Sequence, residues 1–216
     1  MFKTINAVQI HVSLDEIEPE IWRRLVLPSG WNLGQLHLAI QAAFNWWNYH
    51  LHEFQIGGLR YGDVGLLTQD ADEDDPRVFD CREVRLRDFA HGAVFNYVYD
   101  FGDNWRHTVM IEEFVALDVA PKHGTCIDGA RARPPEDVGG VPGYERFLEI
   151  MSDKTDPEHA DTRRWVWRLF RSGMVRPGCG GQGCAQCAAP ECKAPAASAK
   201  AEAQRTDGYI NQQPTI

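Results

Sequence analysis

Histidine and aspartate side chains give the clearest chemical signal in this sequence of 216 residues. The stretch YHLHEFQIGG has the apolar and polar alternation of a strand that ends in a Gly-Gly turn. Side chains two positions apart on a strand project from one face, so His50 and His52 should point the same way. With a carboxylate from a neighbouring strand, two such imidazoles can bind a divalent metal ion or act as an acid and base pair.

The stretch YDFGDNWRH supplies that carboxylate. Two β-rich runs between Val94 and Val115 flank GDN, whose residue types are typical of a hairpin turn. A two-residue turn at positions 103 and 104 would place Asp100 directly opposite His107. The catalytic candidates are therefore His50, His52, Asp100 and His107, and three more carboxylates could join them: Asp103, Glu136 and Asp137.

A purely structural role for these residues stays open. Each histidine can be a hydrogen-bonded core or rim residue, and each carboxylate can cap a turn. The sequence has no nucleophile elbow, no phosphate-binding glycine loop and no dinucleotide fingerprint. A metal-dependent hydrolase is thus a hypothesis that depends on clustering alone.

A second candidate metal site lies near the end of the chain, where four cysteines follow the spacing C-x(4)-C-x(2)-C-x(4)-C. Four thiolates can complete a tetrahedral zinc shell. An iron–sulfur cluster is less favoured, because the fourth cysteine follows too closely for the plant-type ferredoxin spacing. A cysteine-bearing tail without metal is the remaining alternative. The predicted zinc ligands are Cys179, Cys184, Cys187 and Cys192.

Arginines interleaved with tryptophans form a third candidate site. Such a mixture can contact phosphates and stack on bases, although it is also typical of a solvated helix face with tryptophans beneath it. The residues predicted to bind nucleic acid or a protein partner are Arg23, Arg24, Arg163, Arg164, Arg168 and Arg171.

Composition restricts the classes of function. The formal net charge of -9 argues against a protein that coats nucleic acid without sequence preference. No apolar run is long enough for a membrane-spanning helix, and the N-terminus lacks the layout of a secretory signal. We therefore expect a cytoplasmic protein that does not bind a membrane.

The elements that position these residues can be read from periodicity. Alternation over residues 8–15 predicts a strand, and IWRRLVL predicts a second one that pairs with it as an antiparallel hairpin. Asn32 should cap a helix whose apolar stripe also carries His37. Residues 118–143 look irregular, and two helices should follow, one over YERFLEIM and one from Asp156 through RRWVWRLFR.

These elements predict an α+β fold, an antiparallel or mixed sheet with helices packed on one face. The predicted domain covers residues 1–175. Residues 176–216 form a low-complexity, Cys-rich tail with a possible zinc knuckle.

Five motifs in order make the domain resemble the plasmid pRiA4b ORF-3-like family: PEIWRRLVLP, LGQLHLAIQAAFNW, HLHEF, YDFGDNWRHTVMIEE and RPPEDVGGVPGYERFLEIM. The resemblance implies an α+β domain found on plasmids, transposons and bacterial chromosomes, sometimes as a passenger protein, with no established activity. Family members often carry a cysteine before PPED that partners one near position 126. Arg133 stands there in this chain, so a site that uses that pair is not carried over.

Two functions follow as expectations. The resemblance and the arginines favour an accessory protein of mobile genetic elements that binds a protein or nucleic-acid partner. The histidine and aspartate cluster favours a metal-dependent hydrolase.

Overall fold

The computed structural model describes residues 4–69 and 75–171, with side chains as far as residue 167. Its core is one mixed sheet of eight strands in the order β5-β4-β3-β6-β7-β1-β2-β8. The strands are β1 (Ala7–Leu14), β2 (Ile21–Pro28), β3 (His52–Ile56), β4 (Leu59–Gly62), β5 (Val78–Asp80), β6 (Val94–Tyr99), β7 (Trp105–Val115) and β8 (Thr125–Ala130). Every neighbouring pair is antiparallel except β4 with β5. The predicted α+β class is confirmed.

The β1–β2 hairpin forms as the alternation predicts. Ile10 lies opposite Leu25, and Leu14 lies opposite Ile21. These side chains are buried, whereas the alternate positions of both strands are partly exposed. The sheet thus has one face in the core and one polar face.

Helix α1 (Leu33–Phe44) covers the buried face. The Asn32 side chain accepts a hydrogen bond from the Gln35 amide, and the Gln35 side chain accepts one from the Asn32 amide, which completes a capping box. The helix buries an apolar stripe against the sheet, and His37 is part of that stripe. Both the cap and the placement of His37 are confirmed.

The register of the β6–β7 hairpin differs from the sequence prediction. Tyr99 pairs with Trp105 and Tyr97 pairs with His107, so the connection spans the five residues 100–104. Asp100 therefore lies in the turn, and His107 faces Tyr97 from across the strand pair. The predicted pairing of Asp100 with His107 is wrong, because it assumed a turn of only two residues.

The region predicted to be irregular contains the edge strand β8. Its pairing with β2 is held by Arg23, whose buried guanidinium lies over the Phe44 ring. That guanidinium donates hydrogen bonds to the carbonyl oxygens of Trp22, Ala43, Ala130 and Arg131. A single buried arginine thus connects the helix, β2 and the residues after β8.

Three further helices complete the described fold: α2 (Val64–Leu67), α3 (Gly140–Ser152) and α4 (His159–Arg171). Phe147 of α3 contacts Trp165 of α4 edge to face. Among the described residues, no helix combines the length and the apolar character needed to span a bilayer. The predicted cysteine tail lies outside the described residues, and the cytoplasmic location stays a prediction.

Candidate functional site

Three side chains from separate segments meet at one end of the β3–β6–β7 region. Nε2 of His50 lies 3.3 Å from Oδ2 of Asp100 and 3.1 Å from Oδ1 of Asp137. The ligand atoms of the three residues all lie within 4.8 Å of one another. Two sequence-predicted residues, His50 and Asp100, are thus brought together, and Asp137 is the carboxylate that joins them.

Asp100 is fixed by the turn that it forms. Its backbone adopts the left-handed conformation, with φ 58°, and its amide donates to the Leu51 carbonyl at 2.9 Å. Its Oδ1 accepts hydrogen bonds from the amides of Gly102 and Asp103 at 2.9 and 3.3 Å. One carboxylate oxygen therefore folds the turn, which leaves Oδ2 directed toward His50.

The segment before α3 presses against this turn and carries Asp137. Oδ2 of Asp103 accepts a hydrogen bond from the Gly139 amide at 3.2 Å. At Gly140, φ is 67°, and a Cβ would lie 2.5 Å from the Asp103 carbonyl oxygen, so only glycine fits this contact. The tight approach explains how Asp137 reaches a turn more than thirty positions earlier in the chain.

Tyr49 orients Asp137. Its hydroxyl donates to Oδ2 of Asp137 at 2.5 Å, while Oδ1 of the same carboxylate is the oxygen near His50. Burial and the contact with Asp137 raise the pKa of Tyr49, so the hydroxyl keeps its proton and acts as a donor. No sequence pattern pointed to this tyrosine, because its partner is distant in the chain.

The chemistry of the three side chains matches a cation site. Nε2 of His50 is buried as an atom and makes no hydrogen bond of acceptable geometry, although two carboxylate oxygens are close to it. An imidazole nitrogen that lies 3.1 and 3.3 Å from two carboxylate oxygens forms with them a ligand set suited to a divalent metal ion.

His52 and His107 lie apart from this group. The His52 ring stacks on the His37 ring with centroids 3.4 Å apart. His107 is fully buried, and its Nδ1 donates to the Trp105 carbonyl oxygen at 3.0 Å. His37 is held by the Tyr97 hydroxyl and the Asn48 side chain. These histidines form a layer between α1 and the sheet in which His37 and His107 are buried and His52 is half-buried.

Burial keeps these histidines neutral. It lowers the pKa of His37 to about 4 and that of His107 to about 4. For His52, burial and the neighbouring His37 lower the pKa to about 3. Near neutral pH all three rings are therefore uncharged, as their apolar surroundings require.

Behind the site lie a buried carboxyl group and a half-buried guanidinium. Oε1 of Glu136 accepts a hydrogen bond from the Trp47 amide at 2.7 Å, and burial raises the pKa of Glu136. Arg133 donates to the Asn45 carbonyl oxygen and lies over the Trp46 ring, 4.7 Å from its centroid. Arg133 thus braces the loop after α1.

The arginines predicted to bind a partner differ in placement. Arg23 is buried and hydrogen-bonded to the four carbonyl groups described above. Arg24 is partly exposed but pairs with Glu112 and Asp128. Arg163 and Arg164 are exposed on α4, where Arg164 pairs with Asp161. The side chains of Arg168 and Arg171, like the four tail cysteines, lie outside the described residues.

Comparisons with known proteins give a family and a fold. A family model described as plasmid pRiA4b ORF-3-like protein matches residues 6–176. The uncharacterized protein y4hQ of Sinorhizobium fredii is 38% identical over 163 residues, which is 74% of this chain and 80% of that protein. The crystal structure of MM3350 from Methanosarcina mazei Go1, a protein of unknown function, is similar with a TM-score of 0.65 at 33% identity, and the match covers 77% of this chain and 91% of that one. Neither relative's description names an activity.

The buried histidines predict a pH-dependent stability. The pKa of His107 is about 4 in the folded chain and about 6.5 when exposed, so the unfolded chain binds more protons between these values. The contribution of His107 to the free energy of unfolding should therefore be fully present above pH 6.5. About 3 kcal/mol of it should be lost as the pH drops to 4.

Urea unfolding across this pH range measures the effect. His107→Gln should flatten the slope, whereas His91→Gln, at an exposed position, should leave it unchanged. Equal slopes in wild type and His107→Gln would contradict the assignment.

Proposed function

The chain belongs to the plasmid pRiA4b ORF-3-like family, and for this member we propose a function based on one divalent cation bound by His50, Asp100 and Asp137. The observation that carries the proposal is the convergence of one imidazole nitrogen and two carboxylate oxygens within 4.8 Å. Nε2 of His50 has no competing hydrogen bond, so it is available as a ligand. The two carboxylates match the charge of a divalent ion.

Three protein ligands favour a catalytic site over a structural one. Structural zinc sites are closed by four protein ligands, whereas catalytic sites keep a position for water or substrate. The side chain of Asp137 is 60% exposed, whereas that of Asp100 is 8% exposed. The site therefore has a fixed inner ligand and an outer ligand that substrate can approach.

Hydrolysis is the reaction class that such a site supports. A bound divalent ion lowers the pKa of a coordinated water and polarises a substrate oxygen. The chain itself fixes Asp100 through the turn amides and orients Asp137 through Tyr49. In the net reaction one water molecule divides across the broken bond, with hydroxyl on the acyl or phosphoryl side and hydrogen on the leaving group.

A partner-binding role is supported by a different surface, α4. Arg163 and Arg164 are exposed there, and Trp167 is 51% exposed, which is unusual for a tryptophan. A basic and aromatic surface of this kind suits an acidic partner, as expected for an accessory protein of mobile genetic elements. This role is compatible with the cation site, because it uses other residues.

The tail cysteines give a third proposal. Cys179, Cys184, Cys187 and Cys192 have spacing that suits one zinc ion, and an iron–sulfur cluster remains the alternative. The proposal depends on the sequence alone.

Manganese binding tests the main proposal. Mn²⁺ favours oxygen and imidazole ligands over thiolates, so it reports on this site and not on the tail. Titration of the full chain with Mn²⁺, followed by the loss of the free-ion EPR signal, should show one site. His50→Ala and Asp137→Asn should weaken the affinity by at least about 100-fold.

The matched control is His91→Ala, an exposed histidine outside the site, which should bind Mn²⁺ like wild type. No loss of the free-ion signal in wild type, or equal affinity in His50→Ala, would rule out the site. Asp100 is avoided as a test because its carboxylate also folds the turn.

Elemental analysis tests the tail proposal. The purified full chain should carry one equivalent of zinc that is lost when the four tail cysteines are changed to serine, and the melting temperature of the domain should not change. Iron with visible absorption would instead support an iron–sulfur cluster. A chain that carries neither zinc nor iron would contradict both tail proposals.

A gel-shift assay at low salt tests the partner proposal with labelled DNA and RNA, together with a pull-down for protein partners. Arg163→Glu with Arg164→Glu should abolish complex formation, whereas Arg87→Glu, at an exposed position outside α4, should not. No complex with any of these partners would contradict the binding role.

A further inference from the structure

An unusual group of buried polar atoms lies behind the proposed cation site. Five polar side-chain atoms of buried residues, all within the described part of the chain, make no hydrogen bond of acceptable geometry to another protein atom. All five residues are at most 5% exposed. They are Trp46 Nε1, Tyr99 OH, Trp105 Nε1, His107 Nε2 and Glu136 Oε2. Such atoms are rare in native proteins, so each requires an explanation.

The residues that carry these atoms form one contiguous cluster centred on Trp46. Its ring centroid lies 5.4 Å from that of Tyr99, 5.7 Å from that of Trp105 and 6.4 Å from that of His107. Glu136 joins the cluster through its bond to the Trp47 amide, and its charge acts on the Tyr99 phenol. The residues that carry the unsatisfied atoms are therefore neighbours and not scattered exceptions.

The hydrogen-bonding types of the atoms are mixed. The two indole nitrogens can only donate. His107 donates from Nδ1 to the Trp105 carbonyl, so Nε2 of the neutral ring is an acceptor. The free oxygen of Glu136 can accept. The Tyr99 oxygen interacts with the backbone amides of Tyr49 and His50 as an acceptor, so its own proton is the group left to donate. A mixed set of donors and acceptors that do not bond to one another can be satisfied by a molecule that both donates and accepts.

We propose that these five residues form an internal hydration site that holds about two long-lived water molecules, since a buried water makes about three hydrogen bonds. Polar cavities in proteins retain water, whereas apolar ones stay dry. The indole, phenol and imidazole groups supply the polar contacts, and the surrounding rings exclude bulk solvent. Their burial makes exchange of this water with bulk solvent slow.

The position of the hydration site suggests its use. The Tyr99 ring contacts both the Trp46 ring and, edge to face at 5.7 Å, the ring of His50. The buried water therefore lies on the inner side of the proposed cation ligand. That it supplies the water consumed in hydrolysis rests on the proposed function, whereas the hydration itself does not.

NMR of the metal-free full chain tests the hydration site. In the ¹⁵N-labelled protein, the indole N–H signals of Trp46 and Trp105, assigned with Trp46→Phe and Trp105→Phe, should show direct NOE and ROE cross-peaks to water. If the NOE and ROE cross-peaks of one indole N–H have opposite signs, the water stays bound longer than about a nanosecond. The exposed Trp167 indole should show no such long-lived contact, and it serves as the control.

A second variant locates the water. Tyr99→Phe keeps the ring and removes one hydroxyl, so it should reduce the Trp46 cross-peak by roughly twofold or more. Indole signals without long-lived water contacts in wild type would overturn the inference. Because no metal is present, loss of cation binding in the Mn²⁺ titration would leave this result unaffected, and the two failures are distinguishable.

Discussion

The Asp100 carboxylate is the group on which the arrangement of the candidate site depends. One of its oxygens accepts two amide hydrogen bonds inside the turn, and the other lies beside His50. The same residue bonds through its amide to Leu51, next to His50 in the chain. A single residue therefore sets the turn geometry, joins the start of β3 to the β6–β7 hairpin and positions one candidate ligand.

A second constraint is the tight contact between the turn and the segment before α3. Gly140 lies so close to the Asp103 carbonyl that a side chain would clash, and the Gly139 amide bonds to Asp103. This contact places Asp137 beside the turn, where the Tyr49 hydroxyl donates a hydrogen bond to its carboxylate. The candidate site thus exists only when the whole sheet and the following segment are folded together.

Local patterns in the sequence predicted much of the fold. The β1–β2 hairpin, the Asn32 cap and the burial of His37 follow from alternation, capping chemistry and helical periodicity, which act over short distances. The β6–β7 register did not follow, because the Asp100 side chain stabilises a five-residue turn that the residue types of GDN did not reveal.

The sequence predicted some of the residues of the candidate site. His50 and Asp100 were recognised by residue type, but their meeting with Asp137 depends on tertiary contacts. His52 and His107 have the same chemistry, yet their side chains project from the strand face that packs beneath α1. Strand β8 was missed because its pairing depends on the buried Arg23 and not on its own weak alternation.

The central claim is that His50, Asp100 and Asp137 converge on one cation, and crystallography of a zinc-soaked crystal tests it most directly. Data collected at the zinc absorption edge should show an anomalous peak about 2.0–2.2 Å from Nε2 of His50 and from one oxygen of each carboxylate. A well-ordered site with no peak between these three side chains, whatever is bound at the tail cysteines, would contradict the account.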